Sequence, residues 1–168
     1  MAAEPDAFRE AMARFPAGVT IVTTHDQDGT SYGFTASSVT SVSMSPPLIL
    51  VCLARTANCF PMFARTEHFA VSILRPHHAE LAMHFAGKHP DKFARGGFTR
   101  TGAGSTVVET ALATIECSAY GRFDAGDHVV LVGQVEHLHV PDGPTEPAVY
   151  VGREFATLCT GRGACLNR

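Results

Sequence analysis

Six hydroxyl side chains fall within the eleven residues Gly33-Phe-Thr-Ala-Ser-Ser-Val-Thr-Ser-Val-Ser43. On extended backbone such a segment offers O–H and N–H donors to a neutral or anionic ligand, and the competing reading is a solvated strand face of residues with high β-propensity. Arg55 and Asn58 follow an apolar run and precede a short helical pattern. A guanidinium beside a helix start is a place for phosphate, or simply a surface arginine. Gly126-Asp127-His128 stands between two long strand patterns, where an imidazole is held at a rim. It is either a hydrogen-bonding or charge partner for a bound cofactor or a turn histidine held by Asp127.

Other chemistries find no support. The 9 His invite a metal reading, but His77 and His78 are adjacent, and His137-x-His139 has only Glu136 beside it, which projects to the opposite face. No H-E-x-x-H pattern exists, so no metal site is expected. Gly102-Ala-Gly104-Ser-Thr lacks the third glycine of a dinucleotide fingerprint and neither follows a strong strand nor opens a helix. There is no G-x-S-x-G elbow. The 5 Cys are odd in number and without a C-x-x-C pair, which reads as buried thiols and excludes a disulfide framework.

The elements that must position these residues read as one domain over 1–158 with a disordered tail over 159–168. Asp6 is expected to cap a helix whose Phe8, Met12 and Phe15 form one stripe, ended by Pro16-Ala-Gly18. The period then changes to that of strands: 19–24, 32–36 after the Asp28-Gly29 turn, 39–45, and 48–53, the last wholly apolar and expected to be a fully buried central strand. Asn58 is placed at the cap of a short helix to Phe63, His68 to Leu74 is a strand, and Pro76 opens a helix to about Phe85. Residues 87–109 read as a long surface loop. Two long strands, 111–123 and 128–140, precede a last short one, 148–151. About seven mostly antiparallel strands with three short helices predict a mainly β fold, a closed or nearly closed barrel.

The chain is charge-poor. Its 168 residues carry 13 basic and 16 acidic side chains, 17% in all against 45% apolar, where a typical domain has about 25% charged. A net charge of −3 without a basic block excludes nucleic acid as a partner. The longest apolar run, 46–54, is too short to cross a bilayer, so no membrane association is expected. Early acids and the lack of a long apolar stretch in 1–12 do not read as a secretory leader, which leaves the cytoplasm as the expected compartment.

With these residues in place the chain resembles the flavin reductases of the FMN-binding split-barrel fold, the reductase components of two-component flavin-dependent monooxygenases. The resemblance runs from about Phe8 to Leu158 through FREAMARFPAGVTIVTT, GFTASSVTSVSMSPPLILVCL, FAVSIL, ATIECSAYGRFDAGDHVVLVGQV and YVGREFATL. It implies a homodimer, FMN or FAD held in a groove at the interface, NADH or NADPH as hydride donor, and a partner monooxygenase that receives the reduced flavin. It places Thr35, Ala36, Ser37 and Ser38, with Ser41 nearby, along the isoalloxazine edge. Cys52, Leu53, Ala54 and Arg55, with Asn58 and Cys59, become the wall for the ribityl chain and phosphate. His84 and Phe85 would close over the flavin, while His128 and Tyr150, Val151, Gly152 and Arg153 would contact the pyridine nucleotide. Hydride transfer to a flavin needs fixed donors where negative charge develops and no protein nucleophile, so His128 is read as a positioning group. Alternatives on the same barrel are a non-catalytic flavin- or haem-binding module and an oxidase of a phosphorylated vitamin. With only two lysines, Lys88 and Lys92, pairing of two chains also answers the shortage of charged surface.

Overall fold

The computed structural model describes residues 4–158. Helix α1 (Pro5–Ala13) leads into β1 (Ala17–Gly18), β2 (Thr20–His25), β3 (Ser31–Ala36), β4 (Thr40–Met44) and β5 (Pro47–Ala54). After α2 (Phe60–Phe63) and β6 (His68–Ile73), a 3-10 turn (Pro76–His78) runs into α3 (Ala79–Ala86). The chain ends with β7 (Phe98–Arg100), β8 (Thr106–Val108), β9 (Ala113–Ala125), β10 (His128–His139), β11 (Val149–Val151) and β12 (Glu154–Ala156).

Seven strands form one antiparallel sheet in the order β3-β2-β6-β9-β10-β5-β4. Its two edges, β3 and β4, are consecutive in sequence, joined only by residues 37–39. Laid flat, edges six strand spacings apart would be separated by about 29 Å, whereas the link from Ala36 to Thr40 reaches at most about 14 Å. The sheet must therefore curl until its edges meet, which makes a barrel that no ladder closes. Ser38, in that link, continues the β4–β5 pairing with its side chain: Cys52 N–H donates to Oγ at 3.0 Å, and the hydroxyl donates to the Cys52 carbonyl at 3.4 Å.

Period-2 alternation fills the barrel. Val22, Phe34, Ile49, Val51, Leu53, Phe69, Val71 and Leu131 are buried together, with Phe63 of α2 meeting Phe34 edge-on at 5.0 Å. Gly133 sits where β10 passes closest to this core; a β-carbon there would lie 2.5 Å from the Phe69 ring and 2.7 Å from Cys117 Cβ. A second core, outside the barrel, packs Ile21, Leu74, Phe85, Val108 and Ala148 beneath α3.

Several expectations are corrected. Strand β5 is second from an edge and alternates buried with half-buried residues, because its outer face is not covered by the chain. Residues 87–109 are not only surface loop: β7 and β8 form a hairpin, and Thr106, Val107 and Val108 are buried. Long-range bonds hold it, Thr23 Oγ1 donating to the Thr106 carbonyl and Val108 N–H to Ser72 Oγ at 3.0 Å. The Gly102–Gly104 stretch is the turn of that hairpin, with Gly104 at φ +89°. Strand β12 follows β11 through a two-residue turn, Gly152-Arg153, both at positive φ as a type I′ turn requires. Helix α1 begins after Glu4 with Pro5 in its first turn, not at an Asp6 cap, and buries none of its residues. The helix ends at Ala13, so only Phe8 and Met12 of the expected stripe lie on it, and these and Phe15 are exposed. Cys59, not Asn58, stands at the start of α2. The predicted tail, with Cys159 and Cys165, lies outside the described residues.

Buried His78 fixes the entry to α3. Its Nδ1 accepts the Arg75 N–H at 3.1 Å, so the proton resides on Nε2, which donates to the Glu109 carbonyl at 3.1 Å. Burial, then the neighbouring His77, pushes its pKa below 6.5. The folded chain thus disfavours a proton that the unfolded chain takes up, so this contribution is present above pH 6.5 and is lost as pH falls below it. Urea denaturation between pH 7.5 and 5.5 is expected to show falling stability, with a shallower fall in His78→Gln.

Candidate functional site

The register of β5, β10 and β9 builds one face. Residues paired across strands project to the same side, and Val51, Leu53, Val129 and Leu131 point into the core. Their alternates therefore point outward: Cys52, Val130 and Phe123 form one row and Ala54, His128 and Ala125 the next. Ser38 joins the first row through its two bonds to Cys52.

At the end of this face Arg55 donates its N–H to the Asp127 carbonyl at 3.0 Å. Its guanidinium binds the Asp124 carboxylate and lies 5.6 Å from the centre of the Phe60 ring. His128 Nδ1 is 2.7 Å from the Asp127 carboxylate. That contact, followed by the charge of His128, holds Asp127 below the usual carboxylate range. The oriented imidazole of His128 thus lies on the outward face, while Asp124, paired with the core-facing Val129, draws the Arg55 guanidinium to the end of the barrel beside Phe60.

Asn58 and Cys59 lie behind it, lining a cavity of about 150 Å³ with Tyr32, His89 and Lys92. Lys92 Nζ donates to the carbonyls of Phe85 at 2.6 Å and Gly33 at 3.4 Å. Burial pushes this ammonium down, against the opposing pull of Cys59. Burial pushes the Cys59 thiol up, and Cys117 up to about 12, so neither is a thiolate near neutrality. The Asn58 amide donates to the Lys88 carbonyl at 3.5 Å, tying the 88–92 loop to the end of β5.

The remaining expected residues are placed as follows. Thr35 Oγ1 donates to the Ala82 carbonyl at 2.6 Å and fastens α3 to β3; Ser37 and Ser41 are exposed. Ala36 and Leu53 are buried, so only their main-chain groups face the surface. Phe85 is wholly buried, with Phe93 and Phe98 at 5.0 and 5.2 Å, and its side chain packs the second core. His84, the neighbour on α3, stacks on His89. Tyr150, Val151, Gly152 and Arg153 belong to the small sheet β1-β11-β12 and are tied to α1, through Gly152 N–H to the Ala13 carbonyl at 2.6 Å and Arg153 to Glu10 at 3.4 Å. Among the described residues no group of three His, Cys, Asp or Glu is arranged to hold a metal. No helix among them is long and apolar enough to cross a membrane. Sequence reasoning did not single out Asp124, His89 or Lys92 as site residues; the one available signal was that Lys92 is one of two lysines.

An antiparallel barrel left open along one seam, with a held imidazole on its outer face, has the shape of the split barrel of flavin reductases. A solved structure of the same shape is the NADH:FAD oxidoreductase SgcE6 of Streptomyces globisporus, in complex with NAD and FAD fragments. It is 29% identical with a TM-score of 0.87, over 96% of this chain and 99% of that one. Residues 12–158 match the flavin reductase like domain, and the chain belongs to that family. It is 56% identical over 165 residues to the actinorhodin polyketide dimerase of Streptomyces coelicolor, covering 98% of this chain and 93% of that protein. It is also 42% identical over 132 residues to the stachydrine N-demethylase reductase subunit Stc3 of Rhizobium meliloti. That match covers 79% of this chain, which spans only 57% of the longer protein.

Ser38 generates a direct test. Ser38→Ala leaves the Cys52 N–H of β5 without its partner, and is expected to cost about 1 kcal/mol. Thermal unfolding reads the loss, and hydrogen exchange reads faster opening at the Cys52 amide.

Proposed function

We propose that the chain is an NADH- or NADPH-dependent flavin oxidoreductase that passes reduced FMN or FAD to a separate monooxygenase. The observation that carries this is a flavin reductase like domain over 12–158 with an oriented His128 on an accessible face and Arg55 at the adjoining end of the barrel. The names of relatives, one a reductase subunit of a demethylase and one an NADH:FAD oxidoreductase, support it.

The donor set fits such a ligand. Ser37 and Ser38, with the main chain of 35–38, would offer donors to the flavin edge where negative charge gathers. Arg55 would turn its guanidinium from Asp124 to a phosphate, and Cys52 to Ala54 would wall the ribityl chain. Bound flavin supplies the two-electron acceptor for a hydride brought by the nicotinamide. His128, fixed by Asp127, would orient the pyridine nucleotide together with Tyr150 to Arg153. No step requires a protein nucleophile, and the protonated Cys59 offers none.

We also infer a homodimer. The face beside the seam is apolar, with Leu50, Val130, Val132 and Phe123 in adjacent rows, and Phe123 is exposed. A second copy would cover that face and supply the other wall of the flavin groove. The name of the relative at 56% identity further suggests that the oxygenase served here acts on a polyketide.

Purified protein mixed with NADH or NADPH and with FMN, FAD or riboflavin is expected to oxidise the nicotinamide; no turnover with any pair refutes the assignment. Sedimentation of the wild type is expected to give a dimer. Phe123→Glu should shift it to monomer and cut turnover, whereas a monomeric wild type with full activity excludes the pairing.

A further inference from the structure

The turn joining β9 to β10 sets two carboxylates beside Arg55 and His128, the groups proposed above to meet anionic ligands. Asp127 lies 2.7 Å from His128 Nδ1, and Asp124 binds the Arg55 guanidinium. A surface that receives a phosphorylated cofactor is expected to offer free cations. Here each group able to meet an anion already faces an exposed acid. The two acids are differently placed. Asp127 adjoins the imidazole in sequence and orients it, whereas Asp124 comes from β9, opposite Val129, and among the described residues its carboxylate accepts a hydrogen bond from Arg55 alone.

Arg55 does not depend on Asp124 for its place. Its main-chain N–H donates to the Asp127 carbonyl at 3.0 Å, and its guanidinium lies 5.6 Å from the centre of the Phe60 ring at the start of α2. Removing the acid therefore leaves the cation at the end of β5 with its donors free. Phosphate and carboxylate ask for the same N–H groups of a guanidinium, and phosphate brings more acceptor oxygens and more charge. A phosphate that binds Arg55 must displace Asp124. It then sits close to the displaced charge, because that carboxylate stays tethered to β9.

We infer that Asp124 is an internal competitor for Arg55, which loosens the hold on a phosphorylated flavin and hastens its release. This deepens the flavin reductase reading and rests on it, since a reduced flavin destined for a second protein must leave. The competition acts on FMN and FAD, whose phosphate needs the guanidinium, and spares riboflavin, which has no phosphate and leaves Arg55 on Asp124. Asp124 is thus a residue that sets residence time and takes no part in hydride transfer.

The full chain is titrated with riboflavin, FMN and FAD, read by quenching of flavin fluorescence, as wild type, Asp124→Asn, Arg55→Gln and the double variant carrying both changes. Asp124→Asn is expected to bind FMN and FAD about fivefold more tightly, the scale of one exposed ion pair, with a matching fall in the FMN dissociation rate. Riboflavin should bind all four proteins equally, which also reports an intact fold. The gain should shrink as salt is raised and vanish when Arg55→Gln is the background. FMN binding that is unchanged or weaker in Asp124→Asn overturns the inference, as does an equal gain for riboflavin or a gain that persists without Arg55. Inorganic pyrophosphate, titrated by calorimetry, separates the two readings. A wild type that binds no flavin refutes the reductase. In that case tighter pyrophosphate binding by Asp124→Asn, absent from the double variant, still upholds the competition of Asp124 with phosphate, and equal pyrophosphate values overturn it.

Discussion

Three residues joining opposite edges of a seven-stranded sheet are the constraint from which the rest follows. Residues 37–39 are too short to span a flat sheet, so curvature is imposed by chain connectivity as well as by strand twist. The meeting of the edges creates a seam, and Ser38, in the link between them, is pinned by its side chain to Cys52 of β5. The hydroxyl-rich segment thereby comes to lie against the end of β5, whose register carries Arg55 to the Asp127–His128 turn. The ladder of β5 and β10 sets Cys52 and Ala54 beside Val130 and His128, and the short link adds the hydroxyl segment to their edge.

The shortage of charge has a structural counterpart. Many of the cations staple loops by donating to main-chain carbonyls: Arg75 to Thr110 and Pro144, Arg100 to Gly29 and Gly104, Arg122 to Phe63 and Thr66, and Lys92 to Phe85 and Gly33. A neutral acceptor fixes a cation without cancelling its charge. Arg55 differs, since it is paired with a carboxylate, and that pair is exposed at the rim of the candidate site. Exposed pairs contribute about 0–1 kcal/mol, so an incoming phosphate can take the place of Asp124 at little cost.

Much of this was legible in the residues. Period-2 alternation located the strands of the main sheet, and turn residues set their antiparallel order. What escaped depends on distant contacts. Thr106 to Val108 read as loop because three residues show no period, and their strand exists through Thr23 and Ser72. Phe85 was expected at a ligand, yet α3 turns it inward against Phe93 and Phe98, a choice of face that its short apolar pattern did not fix. The spacing of Phe8 and Met12 sets both on one side of α1, but the helix stops at Ala13 and is anchored by Glu10 to Arg153 and by the Ala13 carbonyl to Gly152, so Phe8, Met12 and the following Phe15 stay exposed. His89 and Lys92 had no motif to announce them, since their surroundings are assembled from α3, β3 and the residues after β5.

The character of the face bears on what a flavin carrier must do. A protein that keeps its cofactor buries it among desolvated charges, where removing a partner is costly. Here the side chains of Arg55 and His128 are 39% and 43% exposed, and their carboxylate partners, Asp124 and Asp127, are 86% and 92% exposed. Electrostatic contacts in that setting are screened and individually weak. In a single chain such a surface would hold an anion weakly, whereas the second copy inferred above would cover the face and lessen that screening, so pairing and flavin affinity are expected to be linked.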